Sequence, residues 1–243
     1  MQHWREDVNA TEIVNQYIGD LTRVLQAIDP NEIERVIQTL DATRAARARV
    51  FVAGNGGSAA TASHLCTDLS VGLKGRGLAG FDIQSLSDNA SIATAVSNDV
   101  AYEEVFTAQL DGVMRPEDVL IAISASGNSP NILSAVRYAK SVGATVVGCS
   151  GFDGGELKRM SDVSFHVATS PGAYGIVEDA HLVLNHILHS YFAAQSDALE
   201  QHTSTTAPAK PRTSAPLERG TNWVQIKKNK GQRKWQPTPN SST

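Results

Sequence analysis

Short apolar runs alternate with helical stretches along most of this chain, and that alternation constrains the fold more than any other feature. The runs are "ARVFVAG", "FDIQSL", "DVLIAIS", "TVVGCSG" and "DVSFHVA". Segments of helical periodicity follow them at 58–71, 88–98, 101–113, 130–142, 154–160 and 176–195. The run Val119-Leu120-Ile121-Ala122-Ile123 is apolar on both faces, as a strand covered by helices on each side must be. Five strands joined in this way predict an α/β fold, a doubly wound five-stranded parallel sheet flanked by helices.

Ahead of the first strand, Ile13, Val14, Tyr17, Ile18, Leu21, Val24, Leu25 and Ile28 recur at helical spacing. A second helix is signalled at Pro30-Asn31, with Ile33, Val36, Ile37 and Leu40 on one face. The predicted organisation is therefore a helical pair over 1–47, an α/β domain over 48–197 and a tail over 198–243. The tail opens with "HTSTTAPAKPRTSAPLERG", a composition too poor in apolar surface to offset ordering entropy, and disorder is expected there. Charge separates the parts as well. The chain carries a net −4, but residues 203–243 hold eight Lys and Arg against one Glu, so a +7 tail follows a body of −11. Trp223 and Trp235 lie among those basic residues, a pattern that would suit nucleic acid or a protein partner. The plainer reading, a solvated flexible tail, is preferred.

Composition excludes several classes. No apolar run approaches the roughly 20 residues that cross a membrane. The start, "MQHWREDVNA", lacks the basic-then-apolar layout of a secretory signal. The two cysteines, Cys66 and Cys149, have no metal-type spacing and read as buried reduced thiols of a cytoplasmic protein.

Two small-residue loops each leave a strand and enter a helix. The first, Gly54-Asn55-Gly56-Gly57-Ser58-Ala59, satisfies G-x-G-x-x-A, the dinucleotide pattern. That motif also needs an acidic residue about 20 positions on. Asp88 lies more than 30 past Gly54, so no nucleotide cofactor is expected. The second loop offers Ser124, Ala125, Ser126, Gly127, Asn128 and Ser129 in succession, with Ser129 suited to an N-cap and Pro130 to the first helical position. Exposed amides of a first helical turn, the positive end of the helix dipole and adjacent hydroxyls make an anion site. Three serines without a lysine suggest the phosphate of a small metabolite held by neutral donors. Neither G-x-x-x-x-G-K-[ST] nor G-x-S-x-G is present.

These loops, with "SNDVAYEEVF" at 97–106 and "EDAHLVLNHIL" at 178–188, resemble the sugar isomerase (SIS) family over residues 10–195. Within it, the likeness is to the bacterial phosphoheptose (sedoheptulose 7-phosphate) isomerases. The resemblance implies a flavodoxin-like sheet, a helical pair that helps assemble a homotetramer, and active sites between subunits. It implies phosphate binding by Ser58, Ser124, Ser126 and Ser129, and a sugar site lined by Asn55 and Asp88, with Gly56, Gly57 and Ala125 as main-chain contacts. At the reacting end the chain departs from the family. The family's catalytic glutamate corresponds to Asp68, an arginine four residues on to Gly72, its glutamine to Glu178, and an aspartate three residues earlier to Gly175. His64 and His186 are retained.

His64 and Asp68 are four apart and share a helix face. Glu178 and His186 are eight apart, roughly 12 Å along an ideal helix. Glu178 either reaches in from the first turn or is supplied across a subunit interface. Two imidazoles and two carboxylates suit a divalent ion such as Zn²⁺, and His64, Asp68, Glu178 and His186 are the expected ligands. His166, His181 and His189 read as packing residues. Aldose–ketose isomerisation through an enediol needs a base, an acid and something to hold developing negative charge. Asp68 or Glu178 is assigned the base role and His186 the acid role, with the metal or its water polarising the carbonyl. Two alternatives stand beside this. One is a non-catalytic scaffold of the kind in this family that binds the replication initiator. The other is an isomerase of a ketose phosphate of different length, in secondary metabolism.

Overall fold

The computed structural model describes residues 9–204, 223–226 and 234–237, with side chains through residue 195. Two helices open the chain. α1 (Ala10–Gln26) is capped by Asn9, whose side chain accepts from the amides of Thr11 and Glu12. α2 (Pro30–Ala45) has Asp29 at its N-cap and proline at its first position. The sheet follows: β1 (Arg49–Gly54), β2 (Asp82–Ser85), β3 (Val119–Ser124), β4 (Thr145–Phe152) and β5 (Val163–Ala168). All pairings are parallel and the order is β2-β1-β3-β4-β5. This is the expected doubly wound arrangement of flavodoxin-like order, and the order reverses between β1 and β3.

The two-sided apolar pattern of the strands becomes two cores. Val50 and Val52 of β1 with Val119, Ile121 and Ile123 of β3 face one cluster, completed by α2, by α3 (Gly57–Thr67) and by α8 (Tyr174–Ser204). Phe51 and Ala53 with Leu120 and Ala122 face the other, beneath α6 (Pro130–Val142). Successive side chains alternate across a strand, so each apolar residue serves one layer. Leu40, Leu120 and Leu188 are fully buried, each contributing about 1.5–3 kcal/mol of transfer free energy.

The connection after β2 holds α4 (Ala90–Asp99). The single helix expected over 101–113 is instead a 3₁₀ turn at Tyr102–Glu104 and a short α5 (Thr107–Leu110). Gly112, with φ 67°, ends that segment, while Val105, Phe106, Leu110 and Met114 pack into the second core. α7 (Gly155–Met160) lies between β4 and β5.

The chain divides into two compact units, residues 1–202 and 203–243. The tail differs from its expectation in part. α8 continues to Ser204, and β6 (Trp223–Ile226) pairs antiparallel with β7 (Lys234–Pro237), so Gln225 stands opposite Trp235. The expectation of disorder elsewhere in 198–243 falls on residues outside those described. Among the described residues, no helix is long and apolar enough to cross a membrane.

Candidate active site

Both loops leave the carboxyl ends of β1 and β3, side by side at the point where the strand order reverses; Gly54 is in register with Ile123. Ligands bind at such a crevice in open α/β sheets. Gly56 turns the first loop with φ 55°, in the left-handed region that glycine tolerates. Asn55 then joins the loops. It exchanges amide hydrogen bonds of 2.9 Å with the buried Asn131, and its oxygen also accepts from the Tyr102 hydroxyl at 2.8 Å.

In the serine loop, the Ser124 and Ser129 hydroxyls are 3.1 Å apart. Ser129 occupies the N-cap of α6 as expected, but its side chain makes no capping bond. Its hydroxyl instead meets that of Ser124, and either of the two can donate. Ser126 Oγ accepts from the Asn128 amide at 3.2 Å. Asn128 in turn accepts from the Glu156 amide at 3.0 Å, and the Gly127 carbonyl accepts from the Leu157 amide at 2.9 Å. Gly127 has φ 65°, and a Cβ on it would overlap the Gly154 carbonyl oxygen. The loop is thus clamped against the start of α7. Ser58, in the first turn of α3, is 4% exposed.

His64 and Asp68 project from one face at the end of α3, with His64 Nε2 3.3 Å from Asp68 Oδ2. The helix widens there into a π-turn over Asp68–Gly72, an irregularity common at functional sites. α8 delivers His186, whose ring meets that of His64 edge to face at 5.0 Å between centroids. Donor atoms of His64, Asp68 and His186 all lie within 4.8 Å of one another. Two imidazoles and a carboxylate at this spacing are donors that could hold a divalent cation.

Glu178, the fourth expected ligand, has its carboxylate against Gly57, where a Cβ would overlap Oε2. It is in the opening turns of the continuous α8, two turns before His186. The neighbouring Asp179 accepts a 2.7 Å hydrogen bond from Tyr17 of α1, and that bond is the main cause of the raised Tyr17 pKa.

Asp88 accepts from Ser63 and, at 2.9 Å, from Ser85. It lines an open cleft of about 570 Å³ at the edge strand with Cys66, Ser85 and Asn89. None of the clustered histidines lines that cleft. Burial pushes the Cys66 and Cys149 thiols up to about 12, so neither is a nucleophile at neutral pH. Burial lowers the pKa of half-buried His166 and of fully buried His181, the latter to about 4. Sequence reasoning missed Asn131, Tyr102 and Asn185. The last donates to Asp68 Oδ2 at 3.4 Å. A buried asparagine carries no periodic or motif signal of its own.

A SIS domain family model matches residues 16–151. The phosphoheptose isomerase of Burkholderia pseudomallei (strain 1710b) is 36% identical over 200 residues, covering 78% of this chain and all of that protein. The phosphoheptose isomerase of Mycobacterium tuberculosis (strain H37Ra) is 38% identical over 195 residues, covering 76% of this chain and 95% of its own length. Among solved structures, phosphoheptose isomerase from Neisseria gonorrhoeae superposes with a TM-score of 0.68 at 25% identity, covering 76% of this chain and all of that one.

Proposed function

The chain belongs to the SIS domain family, and from that membership we propose that it is an aldose–ketose isomerase converting sedoheptulose 7-phosphate to the corresponding heptose 7-phosphate. The observation that carries the reading is the convergence of His64, Asp68 and His186 to within 4.8 Å. They lie on helices that also border the two donor loops at the switch point.

The serine loop binds the phosphate. Hydroxyls of Ser124, Ser126 and Ser129, the first-turn amides of α6 and Ser58 at the start of α3 donate to its oxygens. Asn55 keeps the two loops in register, and Asp88 accepts from sugar hydroxyls. Asp68 takes the proton from the substrate carbon through Oδ1, because His64 and Asn185 both engage Oδ2. His186 gives a proton to the carbonyl oxygen; as the enediol collapses, Asp68 returns its proton to the neighbouring carbon and His186 takes the hydroxyl proton of the first carbon, which becomes the aldehyde. Glu178 lies against Gly57, which favours Asp68 as the base. His64, Asp68 and His186 fit a divalent ion such as Zn²⁺ by donor type and number. When bound, it would supply Lewis-acid polarisation of the carbonyl, the task His186 otherwise performs by proton donation.

Homotetrameric assembly and a cytoplasmic location belong to the same proposal. Ile13, Val14, Tyr17 and Ile18 leave an apolar stripe exposed on α1, which supports self-association. Cys66 and Cys149 are free thiols, in keeping with a reducing compartment. The test of function is turnover of sedoheptulose 7-phosphate by the purified chain and its loss in Asp68→Asn.

A further inference from the structure

Asn185 lines an interior cavity and also bonds the carboxylate of the proposed site. It is 2% exposed; its Nδ2 donates to Asp68 Oδ2, while its Oδ1 is buried without a protein partner. One turn earlier on α8, His181 is equally buried. Its Nε2 lies 3.3 Å from the Ser150 carbonyl oxygen, and its Nδ1 is also buried and unpartnered. Residues four apart share a helix face, and both line one cavity together with Thr61 and the apolar Val36, Ile121 and Leu184. The cavity leaves about 10 Å³ for the centre of a water molecule, room for one.

The chemistry of the two unpartnered atoms selects the guest. The Ser150 carbonyl only accepts, so His181 Nε2 carries the hydrogen and Nδ1 presents a lone pair. Burial keeps that ring neutral at neutral pH. The Asp68 carboxylate also only accepts, so Asn185 turns its NH₂ toward Asp68 and its oxygen away from it. Two acceptors on residues that line one small cavity cannot bond to each other. A molecule with two hydrogens satisfies both.

We propose that a single internal water donates to His181 Nδ1 and Asn185 Oδ1, completing a relay from the Ser150 carbonyl through His181, the water and Asn185 to Asp68, and that Asn185 is the positioning residue of the catalytic carboxylate. Ser150 is fully buried in β4, so the relay ties Asp68 to the sheet although its own backbone sits where α3 passes into a π-turn. Asn185 and His64 together hold Oδ2 and leave Oδ1 free for substrate. The positioning role rests on the base assigned above; the water does not.

Three measurements test this. A high-resolution crystal structure of the wild-type protein will contain one ordered water within hydrogen-bonding distance of both atoms, and nitrogen NMR will find His181 as the Nε2–H tautomer. An empty cavity or the Nδ1–H tautomer overturns the relay. In kinetics on sedoheptulose 7-phosphate, Asn185→Leu will lower kcat by roughly tenfold to a hundredfold, as loss of a supporting hydrogen bond does, with KM changed less than about twofold. Asn185→Ser, whose hydroxyl and added room let water reach Asp68, will recover part of that loss. A folded Asn185→Leu with wild-type kcat overturns the positioning role. If Asn185→Leu does not fold, Asn185→Ser decides alone: kcat below wild type at unchanged KM supports the role, and wild-type kcat refutes it. A wild-type protein inactive on this sugar would refute the activity and with it the positioning role, while the crystal and NMR results would still decide the water.

Discussion

The carboxylate of Glu178 lies against Gly57, whereas His186, further along the same helix, packs its ring against that of His64 at 5.0 Å. One helix thus serves two separate points of the site. The donor atoms brought within 4.8 Å of one another are those of His64, Asp68 and His186. Glu178→Gln will leave bound divalent metal within about threefold of wild-type affinity, and His186→Ala will weaken it by about a hundredfold or more, by the usual cost of losing a direct ligand rather than a supporting one. Metal analysis after dialysis against graded chelator reads both.

Asp68→Asn keeps the size and most of the hydrogen bonding of Asp68 but removes the base. The variant will lose roughly 10²–10⁴ in kcat, the usual contribution of a positioned general base, and will melt within about 2 °C of wild type. Coupled assay of heptose phosphate formation, with a thermal melt of the same sample, checks it.

Ser129 sits at the N-cap of α6 without capping it. Replacing a true cap by alanine costs about 1 kcal/mol; Ser129→Ala will cost far less in stability. It will instead raise KM for the sugar phosphate by about tenfold or more, since a hydrogen bond to a charged group contributes about 1.5–3 kcal/mol. Comparing its melting temperature with that of Asn89→Ala, which removes a cap that accepts from the Ile92 amide, separates the two effects.

Gly127→Ala strains the serine loop twice, through φ 65° and through overlap with the Gly154 carbonyl oxygen. A loss of about 2 kcal/mol or more is expected, lowering the melting temperature by about 4–8 °C for a chain of this size.

His181 is buried with its pKa lowered from 6.5 to about 4. The unfolded chain therefore binds a proton there that the folded chain refuses. The associated stability, roughly 3 kcal/mol, is present above pH 6.5 and is lost as pH falls toward 4. His181→Gln, which cannot take up that proton, will flatten the stability–pH curve between those limits, as read from urea unfolding at successive pH values.

The fold was legible because short apolar runs and stretches of 3.6-residue periodicity alternate cleanly: the five apolar runs became β1–β5, and the two-faced run at 119–123 became the central β3. The paired small-residue loops were legible for the same local reason, being strand-to-helix joints with Gly56, Ser129 and Pro130 at conformationally telling positions. The meeting of His64 with Asp68 follows from a four-residue spacing on α3. The place of Glu178 was not legible. It depends on where α8 begins against the sheet, a tertiary distance that no spacing encodes. The broken helix at 101–113 and the cavity beside Asn185 escaped for the same reason, since packing rather than local propensity fixes them.

The most direct test of the central claim is to incubate the purified protein with sedoheptulose 7-phosphate in deuterium oxide and follow the sugar carbons by NMR. Proton transfer by Asp68 through an enediol, with the carboxyl proton exchanging in part with solvent before it is returned, predicts a heptose 7-phosphate that carries some solvent deuterium at C2, with product formation and exchange both slowed roughly 10²–10⁴-fold in Asp68→Asn. Unchanged ketose with no deuterium incorporated by the wild-type protein would contradict the account.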